Sequence, residues 1–146
     1  MMTIKASLTL LFSLVLFNSI YAQSTPDEIS NKFFDIYKKD SFDKGLDYLF
    51  STNKYSADYK DGLVNVKQEV NNTIAKIGQF YGYELISSKA AGKSILLLTY
   101  IVKYEKDALT FRILFYKALN DWQVQTFKFD NKIGDELEVA SKEYKE

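Results

Sequence analysis

The side chain with the clearest chemical potential in this sequence is Arg112, the only arginine of the chain. It lies in the middle of a segment of alternating residues, Leu109 to Tyr116, which predicts a β-strand. A guanidinium group in such a place can bind a ligand carboxylate through two parallel hydrogen bonds. It can equally extend towards solvent or pair with a cross-strand carboxylate such as Glu105. Arg112 is therefore a candidate binding residue with a structural alternative.

Tyrosines on the predicted strands are the other candidate binding residues: Tyr83, Tyr100, Tyr104 and Tyr116. Each offers a ring for stacking and a hydroxyl for hydrogen bonding, as the lining of a ligand pocket requires. The alternative is that they belong to the core or to an interface. Trp122 follows a turn directly, where it could stack on a sugar or pack the end of a core.

Four aspartates cluster in the first two predicted helices: Asp35, Asp40, Asp43 and Asp47. Paired carboxylates can transfer protons or bind calcium. The spacing matches no EF-hand loop, because Lys44 and Gly45 occupy ligand positions, and we interpret the cluster as a solvated acidic face. Asp35 and Tyr37 are two positions apart on a helix, so they are not expected to act as a catalytic pair. No metal site is predicted.

Histidine and cysteine are absent from the whole chain. Their absence excludes disulfides, histidine or thiolate zinc sites, and Ser-His-Asp or Cys-His catalysis. Any catalysis would have to use Asp, Glu, Tyr, Lys or Ser with shifted pKa values. No cofactor is predicted. Basic and acidic residues are equal in number, 19 of each, so nucleic-acid binding is disfavoured.

Residues 1–22 have the pattern of a secretory signal peptide: Lys5, a short apolar run from Leu8 to Phe17, and a small residue, Ala22, at the cleavage site. The run is too short for a transmembrane helix, which needs about 20 residues. We therefore expect an exported protein. The preference for lysine over arginine, with many Asn, Tyr and Phe residues, suggests an AT-rich bacterial genome, so the protein is expected in the periplasm or secreted. No cysteine follows the run, so no lipid anchor is expected after cleavage.

The elements that must position the candidate residues begin with helices. Thr25-Pro26-Asp27-Glu28 predicts a capped helix start, and Asp40-Ser41 ends this helix and caps a second one. A longer helix carries apolar residues on one face, from Leu63 to Tyr81, and Gly78 and Gly82 mark its end.

Strands follow the helices. The candidates are Tyr83 to Ser88, Ser94 to Tyr104, Leu109 to Tyr116 and Trp122 to Phe129, separated by short turns that predict an antiparallel meander. The second strand is apolar on both faces, so its second face should be covered by the C-terminal segment, by a partner subunit or by a ligand. Residues 23–133 are thus predicted to form one domain, with residues 134–146 a tail or short helix.

Helices first and strands second predict an α+β fold with N-terminal helices on a four-stranded antiparallel sheet. At this level the chain resembles the NTF2-like (cystatin-like) superfold, in Phe33-Phe34-Asp35-Ile36-Tyr37, in Ser41 to Leu46, in the long helix ending near Gly78 and in the meander ending at Trp122-Gln123-Val124. The resemblance covers residues 26 to 130. It implies a curved sheet wrapped around the helices as a cone with a pocket, and members that dimerise through the sheet.

The leading expectation is a non-enzymatic exported domain that binds a small molecule or a partner protein, as a homodimer. The alternative is a small isomerase or hydratase of the ketosteroid-isomerase type, which needs a buried carboxylate beside a tyrosine hydroxyl. A third possibility is a structural protein of the cell envelope, which would have a filled interior and an exposed apolar patch.

Overall fold

Three helices precede a four-stranded sheet in the computed structural model, which describes residues 24–143. The predicted signal peptide lies outside the described residues. The helices are α1 (Pro26–Lys39), α2 (Phe42–Ser51) and α3 (Lys60–Ile77), with a 3₁₀ turn (Ser56–Tyr59) before α3. The strands are β1 (Phe80–Ala91), β2 (Ile95–Tyr104), β3 (Ala108–Lys117) and β4 (Trp122–Asp130), followed by helix α4 (Ile133–Glu143). The predicted α+β class is confirmed.

Side-chain caps fix where the first two helices begin. The Oγ1 atom of Thr25 accepts a hydrogen bond from the backbone N–H of Glu28 at 3.2 Å, and the Glu28 carboxylate accepts one from the N–H of Thr25 at 2.7 Å. The hydroxyl of Ser41 caps α2 through the N–H of Lys44. Both starts agree with the sequence prediction, because each cap satisfies N–H groups that have no partner inside the helix.

Helix α3 ends earlier than its apolar pattern predicts, and Tyr81 lies in β1 instead of on the helix. The cause is Gly78, which has a φ of +92° and whose Cβ, if it had one, would lie 2.6 Å from a carboxylate oxygen of Glu105. The β2–β3 turn also holds the chain here, since the N–H of Lys106 donates to the carbonyl of Ile77 at 2.9 Å. The apolar residues after Gly78 therefore start the sheet.

The sheet is an antiparallel meander with the strand order β1-β2-β3-β4, as predicted. One face packs against α1 and α2 and is filled with aromatic rings. Phe33 of α1 lies 6.2 Å from Phe42 of α2 between ring centroids, and Phe111 of β3 lies 5.0 Å from Phe127 of β4. The first three of these rings are fully buried. The interior between helices and sheet is thus a packed aromatic core.

The second face of the sheet also carries apolar residues, as the two-sided pattern of β2 predicts. Leu97 is partly exposed there opposite Leu114 of β3, and Ile101 is partly exposed opposite Thr110. Helix α4 does not bury its own apolar residues, since Leu137 and Val139 are 64% and 58% exposed. We call this second face the outer sheet face. Between residues 24 and 143 no helix has the length and apolar character needed to cross a membrane.

Candidate functional site

Arg112 lies on the outer sheet face and is held by two carboxylates of the chain itself. Its Nη1 atom is paired with Asp130 of β4, and its Nη2 atom lies 2.6 Å from Oε1 of Glu136 in α4. The contacts of Arg112 thus include these two groups rather than Glu105. A ligand carboxylate would have to displace at least one of them, so the binding role of Arg112 stays a prediction.

The five predicted binding residues, Arg112, Tyr83, Tyr100, Tyr104 and Tyr116, do not form one site. Tyr100 is buried in the core, with 2% of its surface exposed. Burial raises the pKa of the Tyr100 hydroxyl, and the nearby hydroxyl of Ser30 offsets part of this rise. The Oγ atom of Ser30 nevertheless has no partner in hydrogen-bond geometry. Tyr116 lies on the same sheet face as Arg112, and Tyr83 lies on the opposite face at the start of β1.

Tyr83 lines a groove of about 560 Å³ between α1 and β1, which we call the α1–β1 groove. Five of its nine lining residues are aromatic, and the others are polar or glycine. The lining residues are Phe34, Asp35, Tyr37, Lys38, Gln79, Phe80, Tyr81, Gly82 and Tyr83. Both walls are regular elements, so the groove is built on rigid parts of the fold.

The inner wall of the groove is a stack of two rings. Phe34 and Tyr83 lie 3.7 Å apart between centroids, with their planes 9° from parallel. Tyr100 supports both from below in edge-to-face contacts, at 5.0 Å from Phe34 and 5.9 Å from Tyr83. The hydroxyl of Tyr83 donates to Oδ1 of Asn31 at 3.1 Å. These contacts fix the Tyr83 ring in one orientation.

A second aromatic pair lies beside this stack. Tyr37 and Phe80 are 4.6 Å apart, and the hydroxyls of Tyr37 and Tyr104 are hydrogen-bonded at 2.9 Å. Burial raises the pKa of both phenols above the ordinary tyrosine value. Both therefore stay neutral at physiological pH, where they can donate and accept hydrogen bonds but cannot serve as phenolate bases.

Two opposite charges stand at the rim of the groove. Asp35 and Lys38 are both exposed, and neither forms a salt bridge within residues 24–143. Burial raises the pKa of the Tyr83 hydroxyl, and the negative charge of Asp35 raises it further. Asp35 and Tyr83 line the same groove, so a carboxylate stands beside its aromatic rings.

The other aspartates of the predicted acidic cluster have partners on the surface. Asp40 pairs with Lys44 at 2.8 Å, and Asp43 accepts a hydrogen bond from Asn71 at 2.7 Å. Asp47 pairs with Lys67. Within the described part of the chain, no three Asp or Glu residues come together as metal ligands.

Two further hollows are weaker candidates for a ligand site than the α1–β1 groove. One, of about 550 Å³, contains Tyr116 and Tyr55 but is bordered by the β3–β4 turn, whose Leu119 is 88% exposed. The other, of about 340 Å³, lies between α3 and β4 and is mainly apolar, with Leu63 and Phe127 in its lining. Neither combines rigid walls with aromatic rings and unpaired charges of both signs.

Sequence reasoning found Tyr83 but missed the rest of the groove. Phe34 and Tyr37 are three positions apart on α1 and therefore share a face. Phe80 and Tyr83 share a face of β1 because the strand has a register shift between Phe80 and Gly82, which the sequence pattern did not predict. Reading Gly78 as a complete helix stop would have placed Phe80 and Tyr81 on a strand.

Comparison with known proteins adds no assignment: the chain matches no family model, no curated protein and no solved structure. The function is therefore inferred from the geometry of its own residues.

Proposed function

We propose that this chain is an exported, non-enzymatic binding domain that holds a small molecule in the α1–β1 groove. The observation that carries the proposal is the combination of five aromatic side chains with one unpaired carboxylate and one unpaired ammonium group in a single groove. Ligand sites typically pair apolar and aromatic walls with a few polar groups that fix orientation. Because the interior is packed with rings, the groove is the part of the fold where a ligand can bind without displacing the core.

Binding is favoured over the isomerase or hydratase alternative by the position of the carboxylates. That reaction needs a buried Asp or Glu with a raised pKa next to a tyrosine hydroxyl. In residues 24–143, every Asp and Glu whose side chain is described is at least partly exposed, and Asp35, the carboxylate in the groove, is exposed. None of these carboxylates therefore has the burial that this reaction requires.

The experiment that tests the groove is a ligand-observed NMR screen of small polar and aromatic compounds. Tyr81 is 62% exposed, so Tyr81→Ala should leave the fold intact while removing one aromatic side of the groove. Tyr55→Ala is the matched control, since Tyr55 is 55% exposed in the other tyrosine-lined hollow. Compounds that bind the wild type should lose affinity with Tyr81→Ala and keep it with Tyr55→Ala; the reverse pattern would overturn the proposal.

We propose that the fold is NTF2-like and that the protein is a homodimer formed through the outer sheet face. Helices on a four-stranded meander are compatible with that superfold, and the partly exposed side chains of Leu97, Ile101 and Leu114 on the outer sheet face offer apolar contacts to a second copy. Size exclusion with light scattering should give a dimer that Ile101→Glu converts to a monomer, while Leu119→Glu leaves it unchanged. A wild-type monomer at micromolar concentration would overturn the dimer.

The export proposal has its own test. Protein recovered from the periplasm or the medium of its host should begin at Gln23 when its N-terminus is sequenced. A chain that stays in the cytoplasm with Met1 or Met2 at its start would contradict it.

A further inference from the structure

Four of the five aromatic side chains that line the α1–β1 groove are at least partly exposed: Tyr37, Phe80, Tyr81 and Tyr83. The face of an aromatic ring carries the negative part of its quadrupole, which attracts cations, and tyrosine is among the better rings for this. Tyr83 uses one face to stack on Phe34, which leaves its other face free of that contact. Tyr37, Phe80 and Tyr81 add three more rings to the same groove.

Asp35 adds a full negative charge next to these rings. It lines the groove together with Tyr83 and forms no salt bridge within residues 24–143. Lys38 is three residues further along α1 but is exposed and does not pair with Asp35. A lysine on the surface keeps its ammonium group in water at the end of a flexible stem, so its repulsion acts mainly on the rim.

From this arrangement we infer that the α1–β1 groove recognises a small organic cation of the alkylammonium class, held by the aromatic rings and by the carboxylate of Asp35. This inference rests on the proposed function and names its ligand class. A divalent metal ion is a poor occupant, because such ions need several oxygen ligands and the groove offers one carboxylate. Within this class a quaternary ammonium group is the best occupant, because it has no N–H donors, is weakly hydrated and gains from ring contacts.

The experiment compares choline with its uncharged isostere, 3,3-dimethylbutan-1-ol, by NMR titration of the exported protein. The two probes share shape and differ in one positive charge. Choline should give saturable shifts in the amides of residues 34–38 and 79–83, and the isostere should bind about tenfold more weakly, as a cation–π gain of about 1–2 kcal/mol implies.

Asp35→Asn separates the contribution of the charge from that of the shape. It should weaken choline binding about tenfold and leave the isostere unaffected, with an unchanged urea midpoint as evidence of folding. Glu69→Gln removes an exposed carboxylate from α3, away from the groove, and should change neither affinity.

The outcomes that overturn the inference differ from those that overturn the proposed function. Equal binding of choline and the isostere in the groove, or choline binding insensitive to Asp35→Asn, would overturn the cation class while the groove remains a binding site. The absence of choline shifts in the groove would also overturn the cation class. Compounds of the wider screen that keep their affinity with Tyr81→Ala and lose it with Tyr55→Ala would overturn the proposed function itself.

Discussion

Replacing Phe33 by alanine tests whether the interior is filled by rings or is open to a ligand. Phe33 is fully buried and lies within 6.4 Å, between centroids, of five other aromatic rings. In a filled core, Phe→Ala costs about 3–5 kcal/mol, because the burial of the ring is lost and a cavity remains. In an open cone the same change would remove a ring that already faces solvent, and the cost would be much smaller.

The contacts of Phe33 place the expected cost at the upper end of that range. Edge-to-face and tilted ring pairs add about 0.5–1.5 kcal/mol each beyond the area that they bury, although such terms do not sum when they share one ring. We therefore expect Phe33→Ala to lower the free energy of unfolding by about 4–5 kcal/mol. A domain of this size has about 5–15 kcal/mol in total, so the variant should still fold in water.

The assay is urea unfolding followed by far-ultraviolet circular dichroism and by the fluorescence of Trp122, the only tryptophan of the chain. The m-value should stay constant, so that the shift of the midpoint reports stability alone. Phe33→Leu should cost about 1–2 kcal/mol, and Leu119→Ala, at a residue that is 88% exposed, less than about 0.5. A cost below about 1.5 kcal/mol for Phe33→Ala would refute the filled interior.

Three further predictions concern polar contacts. Burial raises the pKa of Tyr104 in the folded state, so the unfolded chain loses this proton first and stability should fall as the pH rises above about 10. In thermal melting, Tyr104→Phe should lose less stability above this pH than the wild type, and an equal loss in both proteins would contradict the role given to Tyr104. Asn53→Ala should lower the free energy of unfolding in urea by about 1–3 kcal/mol, because the buried side-chain amide donates a hydrogen bond to the carbonyl of Val124 and accepts one from the N–H of Tyr55. Arg112→Ala should speed amide exchange in α4 while changing global stability by about 1 kcal/mol or less; unaltered exchange would show that the Glu136 contact does not hold the helix.

Local signals in the sequence predicted most of the fold, because they act through neighbouring residues. The capping box at Thr25 and the Ser41 cap begin α1 and α2 where the sequence predicts. The turns at Asp107 and Asn120 separate strands as expected. The end of α3 was harder to place, since it depends on the approach of Glu105 to Gly78, residues that are distant in sequence.

The candidate site was less predictable, because it depends on which faces meet across the fold. Tyr100 and Tyr83 both lie on predicted strands, but their depth differs because Tyr100 lies on the central strand β2 and Tyr83 on the edge strand β1. The partners of Arg112 come from Asp130 and from Glu136, and the latter contact depends on where α4 lies after β4. No pattern within a single element contains that information.

Native mass spectrometry of the protein isolated from its own host tests the central claim most directly, because a domain that holds a small molecule should retain it through gentle purification. The wild type should carry a small-molecule adduct that Tyr81→Ala loses and Tyr55→Ala keeps. An adduct that Tyr81→Ala retains in full, or bare protein in all three cases, would contradict a ligand in the α1–β1 groove.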